Sequence, residues 1–245
     1  MKTTVIKLGG AESEDKEFLK NFSQELAQFK DTGVILVHGG GSSITKLQSE
    51  AGIPHKTIDG LRVTDSQTLE LVKLVLWRKI NSAIVAALRL GGLAVEGMAG
   101  FEGGLIKAKK LVLEDGQDLG FVGEVTGVNT LPIQSQLKLE KIVVIAPLGV
   151  DEEGQAYNVN ADSAAVGVAL ALKSQSIRFV TNVLGVLKQG KKMDRLNVAE
   201  AEALIADGTI TGGMIPKVRA ALSAVAAGIP EVWITKDGRE GTVFS

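Results

Sequence analysis

The chain has 245 residues, 45% of them hydrophobic and 22% charged, with 27 basic side chains against 28 acidic ones. That balance leaves no general electrostatic footprint for nucleic acid or a membrane surface. The absence of cysteine excludes disulfides, thiolate catalysis and cysteine-bound metals, and two well-separated histidines argue against a histidine-built metal site.

The opening MKTTVIKLGG has too short an apolar run for a signal peptide, and no later stretch is long enough to cross a bilayer. A cytoplasmic protein is expected. Six β-branched runs follow one another along the chain: TTVIKL, VILVH, LAVEGM, KIVVIAP, SIRFVTN and EVWIT. Helical spacing fills the gaps between them. Phe18, Phe22, Leu26 and Phe29 share one face of a first helix. Leu69, Val72, Val75, Leu76, Ile80, Ile84 and Ala87 mark a longer one. Strands separated by helices predict parallel pairing with helices on both faces. Residues 103–128 break the rhythm with short alternating runs and turn signals, which predicts a β-hairpin insert. Two lobes are expected, residues 1–172 and 173–245.

Five segments could carry chemistry. In VIKLGG, Lys7 ends an apolar strand just before Gly9 and Gly10, where a cation can meet an anion or simply snorkel to water. HGGGSSI fits neither the Walker loop nor GxGxxG, so Gly40 and Gly41 indicate only a backbone that favours a negative group, or a tight turn. His38, closing a buried strand, reads as a structural hydrogen-bonded imidazole. In DGLRVTD, Arg62 could grip a carboxylate or pair with Asp59 or Asp65. In YNVNADSAA, Asn158 and Asn160 could orient polar groups and Asp162 could hold two cations, while Asn160 or Asp162 could equally cap the next helix. In GGMIPKVRAAL, Pro216 suits a first helical turn, which leaves Lys217 at the positive end of the helix dipole unless an anion binds there.

Taken together and in this order, IKLGG, HGGG, GLRVTD, GGLIKAKK, VIAPLGVDEEGQAYNVNADSAA, GGMIPKV and a closing GT resemble the amino acid kinase family, in its branch that acts on N-acetylated glutamate. The resemblance covers almost the whole chain. It implies a three-layer αβα sandwich with an open, mainly parallel sheet of the carbamate kinase-like type. Its N-terminal lobe would bind the acceptor and carry the dimerisation surface, and its C-terminal lobe would bind the nucleotide. The implied reaction is ATP-dependent phosphorylation of the side-chain carboxylate of N-acetyl-L-glutamate in arginine biosynthesis. A carboxylate is already ionised at pH 7, so no general base is required.

By motif position, Lys7 and Lys217 would stabilise the transferring phosphoryl group, with Asp162 organising them. Gly9 and Gly10 would contact phosphate. Gly40 and Gly41 would contact the acceptor or the transferred phosphate, and Arg62, Asn158 and Asn160 would bind the acceptor. Thr181, Asn182, Val183, Leu184, Gly185 and Val186, with Thr209, Ile210 and Thr211, would line the nucleotide pocket. Mg²⁺ would be held through ATP and water, with no protein ligand. Two departures stand out: SSI follows the glycines where relatives often carry proline, and the first strand begins almost at Met1, leaving no room for the extra N-terminal helix of arginine-inhibited hexamers. A homodimer insensitive to arginine is therefore expected. A kinase for carrier-protein-bound aminoadipate or glutamate is the nearest rival, and a non-catalytic amino-acid sensor on the same fold is a more distant one.

Overall fold

The computed structural model describes residues 1–212 and 214–245; Gly213, in the GGMIPKV motif, lies outside the described residues. All six predicted strands form, as Lys2–Leu8, Thr32–His38, Val95–Ala99, Ile142–Ala146, Ser176–Val180 and Glu231–Thr235. They lie in one 8-stranded sheet with Lys2–Leu8 in the interior, between Ser176–Val180 and Thr32–His38. These six pair in parallel. Two short strands that the sequence did not advertise, Gly241–Phe244 and Arg195–Leu196, extend one edge, the former antiparallel to Glu231–Thr235. Helices cover both faces, giving the three-layer αβα sandwich. Ile106–Val112 and Asp118–Val128 pair antiparallel and close a small barrel with Leu148–Val150 and Ala156–Val159.

Residue parity along each strand decides what each side chain meets. Val5, Ile35, Val37, Val143 and Ile145 point into one core, packed against Ala164, Ala165 and Val168 of the helix Ala161–Ala171 and Val218 of the helix Met214–Ala226. Ile6, Leu8, Leu36 and Val144 point into the other, against Leu19 and Phe22 of the helix Lys16–Leu26, Ile44 of Gly41–Glu50, and the long helix after Asp65. Lys7 therefore shares a face with Val5. His38 shares the opposite face with Leu36.

The long helix is not uniform. It runs as α-helix over Ser66–Lys73, as π-helix over Leu74–Asn81 and as α-helix again over Ser82–Leu90. Asp65 caps its start by accepting from the Thr68 N–H at 2.7 Å. A 3.6-residue apolar stripe predicts the helix but not the wide turn inside it, because the extra residue shifts phase without changing composition.

His38 is fully buried, and that burial pulls its pKa down from 6.5 to about 4. Below pH 6.5 the unfolded chain takes up a proton that the folded chain refuses, so falling pH favours unfolding. The folded state should lose about 2–3 kcal/mol from this group between pH 6.5 and 4.5. Urea denaturation at stepped pH checks this: the slope over that window should be shallower in His38→Asn, which cannot titrate there.

Candidate functional site

The C-terminal ends of the parallel strands carry the glycine turns, and two small cavities open beside them. The first, about 190 Å³, is lined by Lys7, Gly9, Asp162, Thr181 and Lys217 among others. Lys7 reaches it from the strand because its parity points it at the helix Ala161–Ala171. There its Nζ stands 3.0 Å from Asp162 Oδ1. That oxygen is out of water and takes no aligned hydrogen bond among the described residues, so the contact is an ion pair alone. Asp162 occupies the first turn of its helix, where a carboxylate also suits the helix dipole. Lys217, in the first turn of Met214–Ala226 after Pro216, has the opposite relation to its own helix. Two cations against one carboxylate leave the cavity with a net demand for negative charge.

The second cavity, about 220 Å³, is lined by Gly39–Gly41, Arg62, Asn158 and Asn160 among others. It lies just across the start of the same helix, since Ala161 borders one cavity and Asp162 the other. Gly10 joins them: a Cβ there would sit 3.6 Å from the backbone nitrogens of both Gly40 and Gly41. A Cβ on Gly40 would run into the side-chain ends of Leu76 and Ile80 from the π-helical turn.

Arg62 makes no ion pair with Asp59 or Asp65. Its Nη2 donates to Gly41 O at 2.9 Å and Thr45 Oγ1 at 2.7 Å, and its Nη1 to Gln48 Oε1. Gln48 is fully buried and donates in turn to Thr68 Oγ1 at 3.1 Å. The short hairpin Thr57–Ile58/Leu61–Arg62 is thus strapped to the helix Gly41–Glu50. Partial burial draws the guanidinium down from its ordinary pKa, and no carboxylate among the described residues offsets this. Asn158 Nδ2 donates to Thr64 Oγ1 at 3.1 Å. Asn160 spends its side-chain oxygen on capping, accepting from the Asp162 and Ser163 N–H groups at 2.9 and 3.1 Å, while still bordering the cavity.

The remaining segments stand apart from these two cavities. Thr181 borders the first, but Asn182–Val186 and Thr209–Thr211 border neither. Val186 and Ile210 are core residues, and Leu184 is exposed. Gly185, at φ 136°, lets the chain pass tightly beside Thr242, whose hydroxyl accepts the Val186 N–H at 2.8 Å. Thr209 N–H donates to Asp207 Oδ1 at 2.8 Å. Among the described residues, no three His, Cys, Asp or Glu side chains stand together at metal-binding spacing.

Sequence reasoning missed Gln48, Thr45, Thr64 and Glu14, which accepts from Ser42 Oγ at 3.1 Å and from Ser43 Oγ. Gln48 left a signal: it stands four residues after the core residue Ile44, a polar group on a buried helical face. Ser42 and Ser43 both donate to Glu14, which ties the helix after the first glycine turn to the second.

The amino acid kinase family model matches residues 2–236. The acetylglutamate kinase of Stutzerimonas stutzeri is 42% identical over 97% of this chain and 83% of its own length. The chain belongs to the amino acid kinase family. The acetylglutamate kinase of Geobacillus kaustophilus is 41% identical, over 95% of this chain and 89% of its own. The solved structure of smu.665 from Streptococcus mutans superposes with a TM-score of 0.80 at 32% identity, covering 99% and 98% of the two chains. In this amino acid kinase the two cavities sit beside the C-terminal ends of the parallel strands Lys2–Leu8 and Thr32–His38.

The strap on Arg62 has a stability consequence. Gln48→Leu removes the acceptor of Nη1 and the donor to Thr68, so denaturant unfolding should show a loss of about 1–3 kcal/mol.

Proposed function

We infer that this chain is an acetylglutamate kinase, transferring the γ-phosphoryl group of ATP to the side-chain carboxylate of N-acetyl-L-glutamate. The product is an acyl phosphate on the route to arginine. The observation that carries the reading is 41–42% identity to curated acetylglutamate kinases over nearly the whole chain. The site's chemistry agrees with it: cations and backbone N–H groups stand in place of a base.

The acceptor lobe is residues 1–172 and the nucleotide lobe 173–245. N-Acetyl-L-glutamate occupies the cavity of Arg62 and Asn158. Its free carboxylate meets the Arg62 guanidinium, and its amide N–H meets Asn158 Oδ1, which accepts nothing from the described residues. The N–H groups of Gly40 and Gly41 meet the transferred phosphoryl group at the reacting end, which Asn160 borders. The nucleotide body lies on the segments Thr181–Val186 and Thr209–Thr211, and its γ-phosphate enters between Lys7, Gly9, Gly10 and Lys217. The single carboxylate of that cavity, Asp162, is already engaged by Lys7, so the donor set does not build a protein-held magnesium site. Mg²⁺ arrives as part of the substrate, on the phosphates of ATP.

The barrier is the approach of two anions. At about 4 Å and an effective dielectric of about 20, two unit charges repel by about 4 kcal/mol. Lys7 and Lys217, from the two lobes, offset a comparable amount as charge builds on the transferring group. Asp162 prevents Lys7 from swinging onto the acceptor alone. The carboxylate attacks phosphorus, the bond to the bridging oxygen breaks, and ADP leaves with that electron pair; no proton moves. The protein works in the cytoplasm, where ATP is supplied, and as a homodimer. The exposed Leu74 and Leu90 on the long helix and the edge strand Val95–Ala99 favour a second copy on that side. Light scattering should give twice the monomer mass; a monomer or hexamer would refute the dimer.

Hydroxylamine trapping of the acyl phosphate should succeed with N-acetyl-L-glutamate and fail with glutamate and N-acetyl-aminoadipate. Turnover on another acceptor with none on N-acetyl-L-glutamate would sink this reading. Lys217→Ala should lower kcat by about a hundredfold or more, as loss of one transition-state donor does. Arg62→Lys should raise the KM for the acceptor by about tenfold, because a single ammonium cannot hold the Gly41, Thr45 and Gln48 acceptors and also reach the substrate carboxylate.

A further inference from the structure

On the sheet face opposite Lys7, His38 and Asn81 meet in a fully enclosed polar contact between the sheet and the π-helical turn. His38 Nδ1 is 3.0 Å from the carbonyl oxygen of Gly39, and its Nε2 is 3.3 Å from Asn81 Nδ2. Asn81 Nδ2 also stands 3.0 Å from Val144 O. The space for Asn81 is built: a Cβ on Gly97 would come within 2.5 Å of its Oδ1.

These contacts admit one arrangement of protons. Two backbone carbonyls can only accept, so Nδ1 carries the imidazole proton toward Gly39 and Asn81 donates both amide hydrogens, one to Val144 O and one to Nε2. A flipped Asn81 would set its oxygen against Val144 O. The direction of the Gly39 carbonyl matters because, in a trans peptide, it opposes the N–H of Gly40. Drawing the carbonyl toward His38 turns the Gly40 N–H away, toward the Gly10 turn. That N–H donates to no described backbone or side-chain acceptor.

We propose that Asn81 and His38 are positioning residues that aim the Gly40 N–H at the transferred phosphoryl group, and that the π-helical turn Leu74–Asn81 is what delivers Asn81 to His38. The same turn sets the side-chain ends of Leu76 and Ile80 where a Cβ on Gly40 would stand, so one local distortion of the helix bears on both the position and the orientation of the glycine turn. The inference rests on the assignment of this turn to the phosphoryl group.

Two measurements on the whole enzyme test it. Nitrogen-15 NMR of the histidine side chains in the wild type should show His38 as the Nδ1–H tautomer at pH 7; an Nε2–H tautomer overturns the proposal whatever the enzyme's substrate. Asn81→Asp keeps the shape of the side chain but sets a carboxylate oxygen against Val144 O, which drives the side chain, and the imidazole with it, out of register with Gly39 O. Its kcat should fall at least tenfold with the KM for MgATP within about twofold, at a temperature where circular dichroism shows it folded. Wild-type kcat in that variant overturns the proposal. Should it not fold, His38→Asn and His38→Leu take its place: an asparagine amide can reach the Gly39 carbonyl from the position of Nδ1, and leucine cannot. His38→Asn should retain at least tenfold more kcat than His38→Leu, and equal rates in the two overturn the positioning role. A wild type that forms no acyl phosphate would instead overturn the parent functional reading, so the two failures are distinguishable.

Discussion

The ion pair between Lys7 and Asp162 fixes the arrangement on which the rest depends. It ties an interior strand of the sheet to the first turn of the helix Ala161–Ala171, 3.0 Å apart, at the seam between the two cavities. Lys7 is largely withdrawn from water while its partner is partly exposed, so the pair gains more than a surface bridge and loses less than a fully buried one. It holds one cation at a set place without consuming the second. Lys217 remains as the charge without a carboxylate of its own in that cavity.

The pleat makes this possible. Because side chains alternate along Lys2–Leu8, Lys7 must face the helices Ala161–Ala171 and Met214–Ala226, and Leu8 must face away. Alternation along Thr32–His38 likewise sends His38 to the far side. The sheet thus separates a charged, open face of the site from a neutral, closed one, with the glycine turns between them. Helix starts, parallel strand ends and glycine backbones supply the positive potential that an anionic reaction needs, and buried imidazole and amide supply rigidity without charge.

Much of this was legible in the sequence. The six main strands announced themselves as apolar β-branched runs, since strands covered on both faces are built mostly of apolar residues. The cap before Ala161 was narrowed to Asn160 or Asp162 and the structure gives it to Asn160, and the helix with Pro216 and Lys217 in its first turn was equally readable, because capping is local chemistry. What could not be read had a long-range cause. The edge strands Arg195–Leu196 and Gly241–Phe244 are too short for periodicity, and their pairing depends on a neighbour far along the chain. The partners of Arg62 come from a helix that the sequence places no closer than Asp59 or Asp65. The π-helical turn hides inside an ordinary apolar stripe, although Asn81 interrupts that stripe as Gln48 interrupts another.

The strapping of the Thr57–Arg62 hairpin has a consequence for how such a protein can change. The hairpin pairs only with itself in the main-chain ladder and is anchored through side chains to the helix Gly41–Glu50. The large sheet takes no hydrogen bonds from it. Exchanging this small part would leave the ladder of the large sheet unbroken but would take the Arg62 donor from Gly41 O and Thr45, so any change in the hairpin is felt at the second glycine turn.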